Sequence, residues 1–507
     1  MRPSTLLALA AWCVAFVGAG VYAHADAVVP STLASLLLLA FVPYAPLAQH
    51  ELPWRVLLGL VAVAALGLVV APVALSDDLY RFLWDGRVTV HGLDPYAFPP
   101  SHPALAFLRD AHHAHVNHAD IPTIYPPGAQ LLFALAQLLG HGPSSPRLLA
   151  LAAHVTVGWV LRRRGPAGAS TAWMLNPLAL SESALGGHVD VFVGLAVLAA
   201  ALDLRVGRRL RAVVFALAAV AVKLVGALLI PLAVRDRRAL ALGVVLGACL
   251  VVPLSRAGHG ADEVGGFGHY ARRWGGNAGG YLVVEGFVTA GLEPFTERDG
   301  RLQLTFARPL LRSLRRGPLD PHAAFATEKK PIGDVATFEL NVAASLLSRA
   351  LVALAVLALA LLLARRVGRG RVDPADAART LLLVVLLLAP QLHPWYLLWL
   401  LPLELALGRR VVLLWTALAL GAYAPLDAWW SVREWSEPFA FGVWQQLVVV
   451  VAWVSKRGRH GGGTHPTPTY LPIRRGSFLP REFDLPGPPA YLASVVDLPG
   501  IGARGPF

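Results

Sequence analysis

The side chains best suited to chemistry lie in one short segment, Ser76–Asp94, whose sequence is SDDLYRFLWDGRVTVHGLD. This segment directly follows a long apolar run at 53–75, so its charges stand at a membrane boundary. Acidic side chains are costly there unless they are used, which indicates a site at the water–lipid interface. The alternative is a merely solvated loop, but Tyr80, Phe82 and Trp84 lie between the charges, and such loops are poor in aromatic residues.

The acids of this segment are candidates for a general base. Asp77 and Asp78 are adjacent, so on a regular backbone their side chains cannot point at the same spot, and one would act while the other supports it. Arg81 follows Asp78 by three residues and precedes Asp85 by four, which places these side chains on one face if the segment is helical. Arg87 follows one turn further along.

A histidine-rich stretch occupies residues 101–128, after a turn predicted by the sequence GLDPY at 92–96. Its histidines are His102, His112, His113, His115 and His118. Their clustering makes the stretch a metal candidate, but the spacing lacks a zinc pattern such as HExxH. Asp110, Asn117 and Asp120 fit a solvated loop instead. We therefore expect no metal cofactor, with a divalent ion as the alternative.

Two further groups of polar side chains stand at the ends of apolar spans. Glu182, His188 and Asp190 flank a glycine pair at 186–187, which is typical of groups that line a site. Close helix packing through the small residues is the alternative. His393 stands at the outer edge of a helix beside proline and aromatic residues, and an interfacial aromatic belt does not account for its imidazole.

The long polar stretch at 255–340 contains a fourth group of candidates. Arg272, Arg273, Trp274 and Asn277 offer positive charge, an aromatic ring and an amide. These side chains suit an anionic or sugar ligand.

The elements that must position these residues are membrane helices. Of the 507 residues, 56% are hydrophobic and 15% are charged, and the mean hydropathy is +0.57. Soluble domains carry about a quarter charged residues. The net charge of +13 comes from basic clusters between apolar spans, so the positive-inside rule explains it and nucleic-acid binding is not expected. The composition predicts an all-α polytopic membrane protein.

Apolar runs near the length of one crossing, about 20 residues, predict how the chain traverses the membrane. They lie at 5–23, 32–49, 54–75, 147–161, 167–183, 189–204, 239–254, 341–364, 377–392, 395–408, 411–427 and 439–455. Every basic cluster falls on one side, cytoplasmic by the positive-inside rule, if 127–140 dips in and out and 212–234 forms a re-entrant pair bent near Lys223. One long helix with Lys223 snorkelling is the alternative. We predict about 11–13 transmembrane helices.

The same topology puts the polar segments together on the extracytoplasmic face. These segments are 76–122, 182–190, 255–340, 392–394 and 426–438, of which the first is the predicted catalytic loop and the third a large outer loop. Residues 1–455 are predicted to form a single multi-span domain whose first apolar stretch is a retained helix. The Gly-, Pro- and Arg-rich tail 456–507 is predicted to be a mostly disordered cytoplasmic segment.

Several short motifs resemble those of a known enzyme family. They are Ser76-Asp77-Asp78 with Tyr80-Arg81, Trp84-Asp85-Gly86-Arg87, Gly92 to Tyr96, Tyr125-Pro126-Pro127, Asn176-Pro177, Gly187 to Asp190, Lys223 and His393 to Tyr396. Together they resemble bacterial polyprenyl-phosphate-mannose-dependent mannosyltransferases of the GT-C superfamily, over roughly residues 54–455. The first motif is the most specific, and here it follows the third apolar span rather than the first.

The resemblance implies a GT-C-like helical bundle in the bacterial inner membrane. Such an enzyme takes mannose from a polyprenyl-phosphate donor and passes it to a lipid or glycan acceptor at the extracytoplasmic face, with inversion. The catalytic base of its early outer loop would be Asp78, with Asp77 as the near alternative. Substrate-binding side chains would come from Arg81, Asp85, Arg87, Tyr96, His188, Asp190, Lys223, Arg272, Arg273, Trp274, Asn277 and His393.

A secondary transporter or lipid-intermediate flippase is the alternative function. Lys223 in a broken span, with Glu182 or Asp190 at membrane depth, would then bind the coupling ion or the substrate. Transporter sites lie near the midplane, whereas the titratable and aromatic side chains here gather on one predicted face. This asymmetry favours the enzyme.

Overall fold

A computed structural model describes residues 2–233, 237–255, 275–292, 335–432 and 439–458. Within these ranges the chain is helical, with no β-strand beyond one isolated bridge between Gly276 and Gln391. The predicted ligands Arg272, Arg273 and Trp274 and the tail from residue 459 lie outside the described residues.

The α-helices are numbered in chain order. The first eleven are α1 Pro3–Tyr22, α2 Pro30–Leu39, α3 Phe41–Leu47, α4 Trp54–Val69, α5 Asp78–Val90, α6 Pro127–Leu139, α7 Ser144–Arg164, α8 Ala169–Met174, α9 Pro177–Ala184, α10 Asp190–Arg205 and α11 Arg209–Val222. The others are α12 Arg237–Val251, α13 Gly280–Leu292, α14 Val335–Gly368, α15 Pro374–Leu387, α16 Leu401–Ala406, α17 Val411–Leu418, α18 Leu426–Val432 and α19 Phe439–Gly458. Short 3-10 helices occur at Pro103–Leu108, His113–His115, Leu224–Ala233, Val252–Ser255, Pro394–Trp399 and Ala419–Tyr423.

Four helical stretches of the described residues are long and apolar enough to cross a membrane. They are Pro3–Tyr22, Pro30–Leu47, Ala343–Gly368 and Val411–Trp429. Large apolar side chains of α14, such as Leu354 and Leu357, are more than half exposed, as expected of a surface that faces lipid. The prediction of an all-α membrane protein is therefore confirmed, while the total number of crossings stays a prediction.

One expected span, 167–183, is broken into α8 and α9. The Asn176 side chain accepts a hydrogen bond from the backbone N–H of Ala179 at 2.9 Å, and Pro177 occupies the first helical turn, so this dipeptide starts a new helix. The Asn176 amide also donates to the hydroxyls of Thr416 (3.0 Å) and Tyr44 (3.3 Å). The break thus forms a buried junction with two other parts of the chain.

The bend predicted near Lys223 is present. Helix α11 ends at Val222, Lys223 is extended (φ −150°, ψ 141°), and the 3-10 helix Leu224–Ala233 packs back against α11. The return is tight, since a side chain on Gly226 would come within 2.5 Å of the Ala216 carbonyl oxygen. The alternative of one long helix through Lys223 is therefore wrong.

Helix α5 carries the first motif and lies close against α6. A side chain on Gly86 would overlap the Phe133 carbonyl, so only glycine permits this approach. The rings of Phe82 and Phe133 stack across the same interface, 4.6 Å between centroids. The packing fixes the position of Asp78 at the start of α5.

Candidate active site

The two adjacent aspartates at the start of α5 share one hydrogen-bond donor. The Asn117 amide nitrogen donates to Oδ1 of Asp78 at 2.8 Å and to Oδ1 of Asp77 at 3.0 Å. The expectation that these side chains point to different spots was made for a regular backbone, whereas here both reach one amide. Asp77 precedes the helix and Asp78 begins it, so the two do not follow one regular backbone.

Asp78 faces a small cleft. The cleft is lined by Asp78, Arg81, Asn117, His118, Ile121, Pro122, Ile124 and Tyr125. The Tyr125 hydroxyl lies 3.4 Å from Oδ2 of Asp78. Burial raises the pKa of Tyr125 well above its ordinary value, and the Asp78 carboxylate adds to this, so the phenol stays a donor. Asp77 is not among the lining residues, which makes Asp78 the better placed of the two carboxylates.

Arg81 fastens α5 to the loop that carries Asn117. Its Nε lies 3.0 Å from Oδ1 of Asp85, one turn along the helix, as the spacing predicted. Its other nitrogens donate to the backbone carbonyls of His118 (3.2 Å) and Ile121 (3.0 Å). The guanidinium is buried, and these contacts give it a positioning role beside the cleft.

Asp85 is buried at the centre of a polar network. Its Oδ2 accepts hydrogen bonds from the Thr123 hydroxyl (2.5 Å) and the Gln130 amide (3.2 Å), and Gln130 also donates to Thr123 (2.9 Å). A buried carboxylate is tolerated only when its oxygens are paired in this way. The contacts therefore assign Asp85 to support of the cleft.

Arg87 and Tyr96 hold the loop further from the cleft. Arg87 donates to the Leu108 carbonyl (2.9 Å) and pairs with Asp110, whose pKa it lowers although burial acts in the opposite sense. Arg87 lies nine residues after Asp78, about 13 Å along the helix. The Tyr96 hydroxyl donates to the Tyr125 carbonyl at 2.8 Å. Neither side chain makes a direct contact with Asp78.

The histidines of the loop pack against aromatic rings. Tyr80 stacks on His115 with 5.1 Å between centroids, and the Trp84 ring meets His113 at 4.8 Å. Trp84 also belongs to a small apolar cluster with Val88, Leu105, Leu108 and Val116. In the described part of the chain, no three His, Cys, Asp or Glu side chains converge as metal ligands. The loop is a packed cover over α5.

A second group forms where α9 meets α10. Gly187 there has a positive φ of 64°, which favours glycine, and the chain turns so that His188 is buried, with 1% of its surface exposed. The His188 ring stacks on Trp395 with 3.9 Å between centroids, and Trp395 stacks on His393 at 4.3 Å. Two imidazoles thus enclose one indole.

Lys223 and Asp190 form an ion pair beside this stack. Lys223 Nζ lies 2.9 Å from Oδ1 of Asp190, which also accepts the Trp399 indole N–H at 2.6 Å. The ammonium stands over the Tyr396 ring, 4.7 Å from its centroid, as a cation–π contact. Lys223 is 18% exposed and Asp190 is 1% exposed, so the cation is the accessible member of the pair.

His393 interacts electrostatically with Asp78 and with Lys223 of the Lys223–Asp190 pair. Burial lowers the pKa of His393. The Asp78 carboxylate opposes this shift, and Lys223 and His188 add to it. Asp78, Lys223 and His188 are therefore all electrostatic neighbours of His393. The structure thus brings together four of the predicted residues.

Asn277, a predicted substrate-binding residue, forms hydrogen bonds that join segments of the chain. Its amide donates to the Leu392 carbonyl at 2.8 Å, and its Oδ1 accepts from the Gln445 amide at 2.6 Å. The backbone N–H of Leu392 donates to Gly276 at 2.9 Å. Asn277 therefore clips its own segment to the loop that leads into His393.

Sequence reasoning missed two residues of this region. Asn117 was assigned only to a solvated loop, and no spacing pattern reveals a contact across 39 residues. Arg147 is 1% exposed and donates to backbone carbonyls at Val69 (3.1 Å) and Leu185 (2.7 Å), so it ties the end of α4 to the end of α9. An arginine on the side opposite the basic clusters was the available signal.

One comparison with known proteins found a match to this region. Residues 5–236 match a family described as alpha-(1->6)-mannopyranosyltransferase, N-terminal domain. No curated protein and no solved structure matches the chain. The match covers α5, the cleft and the Lys223–Asp190 pair. Residues 5–236, less than half of the chain, are therefore similar to the N-terminal domain of alpha-(1->6)-mannopyranosyltransferases, and this similarity supports a mannosyltransferase.

Proposed function

We propose that the protein transfers a mannosyl residue from a polyprenyl-phosphate donor to a hydroxyl of a lipid or glycan acceptor. Transfer takes place at the extracytoplasmic face of the bacterial inner membrane, in a multi-pass bundle of the GT-C type. The observation that supports this most is the carboxylate of Asp78, which lines the cleft, is held by Asn117 and acts electrostatically on His393.

The proposed step is a single displacement. The acceptor oxygen attacks the anomeric carbon of mannose while the acceptor proton passes to the carboxylate of Asp78. The bond between the anomeric carbon and the phosphate oxygen breaks, and its electron pair stays on the phosphate. Attack opposite the leaving group inverts the anomeric centre. Asp77 is the alternative base. It accepts a hydrogen bond from the same Asn117 amide but does not line the cleft.

Cationic side chains stabilise the leaving group in this proposal. Lys223 is the accessible cation of the region, and His188 and His393 flank the indole beside it. Negative charge that develops on the phosphate is stabilised most by donors already held in place. Arg272 and Arg273 remain predicted further phosphate ligands. The charges of the step come from side chains, so we propose that transfer needs no metal cofactor and persists in EDTA.

The family match and the membrane setting support the choice of substrates. The family description names an alpha-(1->6) linkage, and we propose the same linkage here. A polyprenyl tail remains in lipid while its phosphate reaches side chains at the membrane edge, which matches the exposed apolar helices around the bundle. Positive-inside topology assigns the basic ends to the cytoplasm and the cleft to the opposite face.

The test is transfer by purified protein in nanodiscs with radiolabelled polyprenyl-phosphate mannose and a panel of lipid and oligosaccharide acceptors. Asp78→Asn should lower kcat at least about a hundredfold, since a general base contributes that much. Asp77→Asn should act more weakly, and Asp120→Asn, at an exposed loop carboxylate, serves as the matched control. Full activity of Asp78→Asn would refute the base assignment. Donor movement across the membrane without any product would favour the flippase.

A further inference from the structure

Glu182 is a buried carboxylate with unusual partners. It is 2% exposed, and its two oxygens contact different groups: Oε2 lies 2.8 Å from Nδ1 of His188, and Oε1 accepts the hydroxyl of Tyr423. Among the described residues, no Lys or Arg lies within ion-pair distance of this carboxylate. His188 is therefore the only described side chain that can act as its counter-ion.

The burial of Glu182 calls for a positive charge beside its carboxylate. An isolated carboxylate away from water costs several kcal/mol, so the buried Glu182 needs a neighbouring positive charge. The imidazole of His188, with Nδ1 at 2.8 Å, is the described group placed to supply it. The contact between Nδ1 and Oε2 is close but lacks the geometry of a directed hydrogen bond.

The other ring nitrogen of His188, Nε2, has no protein partner among the described residues. Nε2 is buried and makes no hydrogen bond within the described part of the chain. Stacking on Trp395 with an interplanar angle of 13° fixes the plane of the ring. A buried N–H held in this way is ready to bind an anion that enters beside it.

We infer that Tyr423 and Glu182 form a positioning pair that keeps His188 protonated and directs Nε2–H to the departing phosphate. The inference rests on the proposed function, because the anion it invokes is the polyprenyl phosphate. Tyr423 fixes Glu182 from a segment 241 residues away in sequence, so the pair also holds the C-terminal part of the bundle to α9. Both are positioning residues, since they act through His188.

The effect of Glu182 on the reaction can be measured because the charge of the phosphate changes during the step. The donor is a phosphodiester, and its phosphate gains negative charge as the bond to the anomeric carbon breaks. A cation that grows more effective during this change lowers the barrier more than it strengthens donor binding. Loss of the Glu182 charge should therefore lower kcat more than it raises the donor KM.

The experiment compares Glu182→Gln with Glu404→Gln. Glu404 is another fully buried carboxylate, but its ionic neighbours are Arg379, Arg409 and Asp376, outside the site. Two quantities are measured in detergent or nanodiscs: transfer kinetics with polyprenyl-phosphate mannose, and retention of added decaprenyl phosphate by native mass spectrometry. Thermal unfolding is recorded for each variant.

Glu182→Gln should lower kcat about tenfold, with the donor KM changed less than about threefold, and weaken decaprenyl phosphate binding about tenfold. Tyr423→Phe keeps the charge and should lose about threefold or less. Glu404→Gln should unfold at a lower temperature and keep donor kinetics and lipid binding.

Two results would overturn the inference in different ways. An active wild type whose Glu182→Gln variant matches Glu404→Gln in both assays would refute the positioning pair and leave the proposed function standing. A wild type that neither transfers mannose from the polyprenyl donor nor retains decaprenyl phosphate would refute both.

Discussion

Asn117 orients the two carboxylates at the start of α5. One amide nitrogen satisfies one oxygen of each, at 2.8 and 3.0 Å, which keeps two adjacent negative charges in fixed orientations. Hydrogen bonds to ionised acceptors are about twice as strong as neutral ones. The amide is therefore a stronger orienting group for Asp78 than the Tyr125 hydroxyl at 3.4 Å.

Two substitutions of Asn117 should have different effects on transfer. Asn117→Ala removes the amide and should lower kcat about tenfold, because the carboxylate loses a charge-assisted bond. Asn117→Asp adds a third carboxylate, which opposes ionisation of the base, so the acid limb of the kcat/KM profile should move to higher pH. Rate measurements between about pH 5 and 9 check this. An acid limb in the same place for wild type and Asn117→Asp would contradict it.

Single residues also show where sequence reasoning succeeded and failed. The spacing of Arg81 and Asp85 predicted their contact, because helical periodicity is local. The convergence of Asp77 and Asp78 on one amide was not predicted, since it depends on where α5 begins. The Glu182–Tyr423 contact spans 241 residues, and only tertiary packing creates it.

At the level of elements, the close approach of α5 and α6 places the cleft. Gly86 lies at this contact, whereas a methyl group added to Gly59, within α4, would have no atom within 4 Å. Both positions are glycines within helices, and they differ only in what an added methyl group would contact. The α5–α6 contact is thus open to a direct test.

Gly86→Ala should push α5 away from the Phe133 carbonyl, lower the free energy of unfolding by about 1–3 kcal/mol and reduce transfer at least about tenfold. Gly59→Ala should keep wild-type transfer and change stability by less than about 1 kcal/mol, in the stabilising direction for a helix interior. Thermal unfolding and initial rates measure both. Equal behaviour of the two variants would show that the α5–α6 contact does not set the cleft.

Elements were predicted where the lengths of the apolar runs carried the signal. The bend at Lys223 followed from two apolar pieces too short to span, and the structure shows it. The break at Asn176 was not predicted, although Asn-Pro is a helix-start signal, because the apolar run continues through it. The clip between Asn277 and Leu392 joins segments 115 residues apart, and hydropathy carries no information about it.

At the scale of the whole molecule, ion pairs join the basic clusters to acidic residues of other segments. Arg162 pairs with Glu51 at 2.5 Å, and Arg205 of α10 pairs with Asp373 before α15 at 3.0 Å. These residues belong to the predicted cytoplasmic side, whereas Asp78 and His393 lie in segments predicted for the other side. The packing is therefore compatible with the positive-inside topology.

Cysteine labelling tests that topology directly. In a variant whose two cysteines, Cys13 and Cys249, are replaced by alanine, Ala111→Cys and Arg369→Cys place one exposed thiol in each predicted compartment. A membrane-impermeant maleimide should label position 111 in intact spheroplasts and position 369 only after permeabilisation. The reverse pattern would invert the orientation and move the cleft to the cytoplasm.

Arg147 sets an order of events during biosynthesis. Its backbone acceptor at Val69 leaves the ribosome before it, but the acceptor at Leu185 follows 38 residues later. Until α9 is inserted, the guanidinium cannot complete its set of carbonyl partners. The end of α4, the start of α7 and the end of α9 therefore lock together only when the chain has passed the Glu182–His188 turn, so this part of the nascent protein reaches its final packing late.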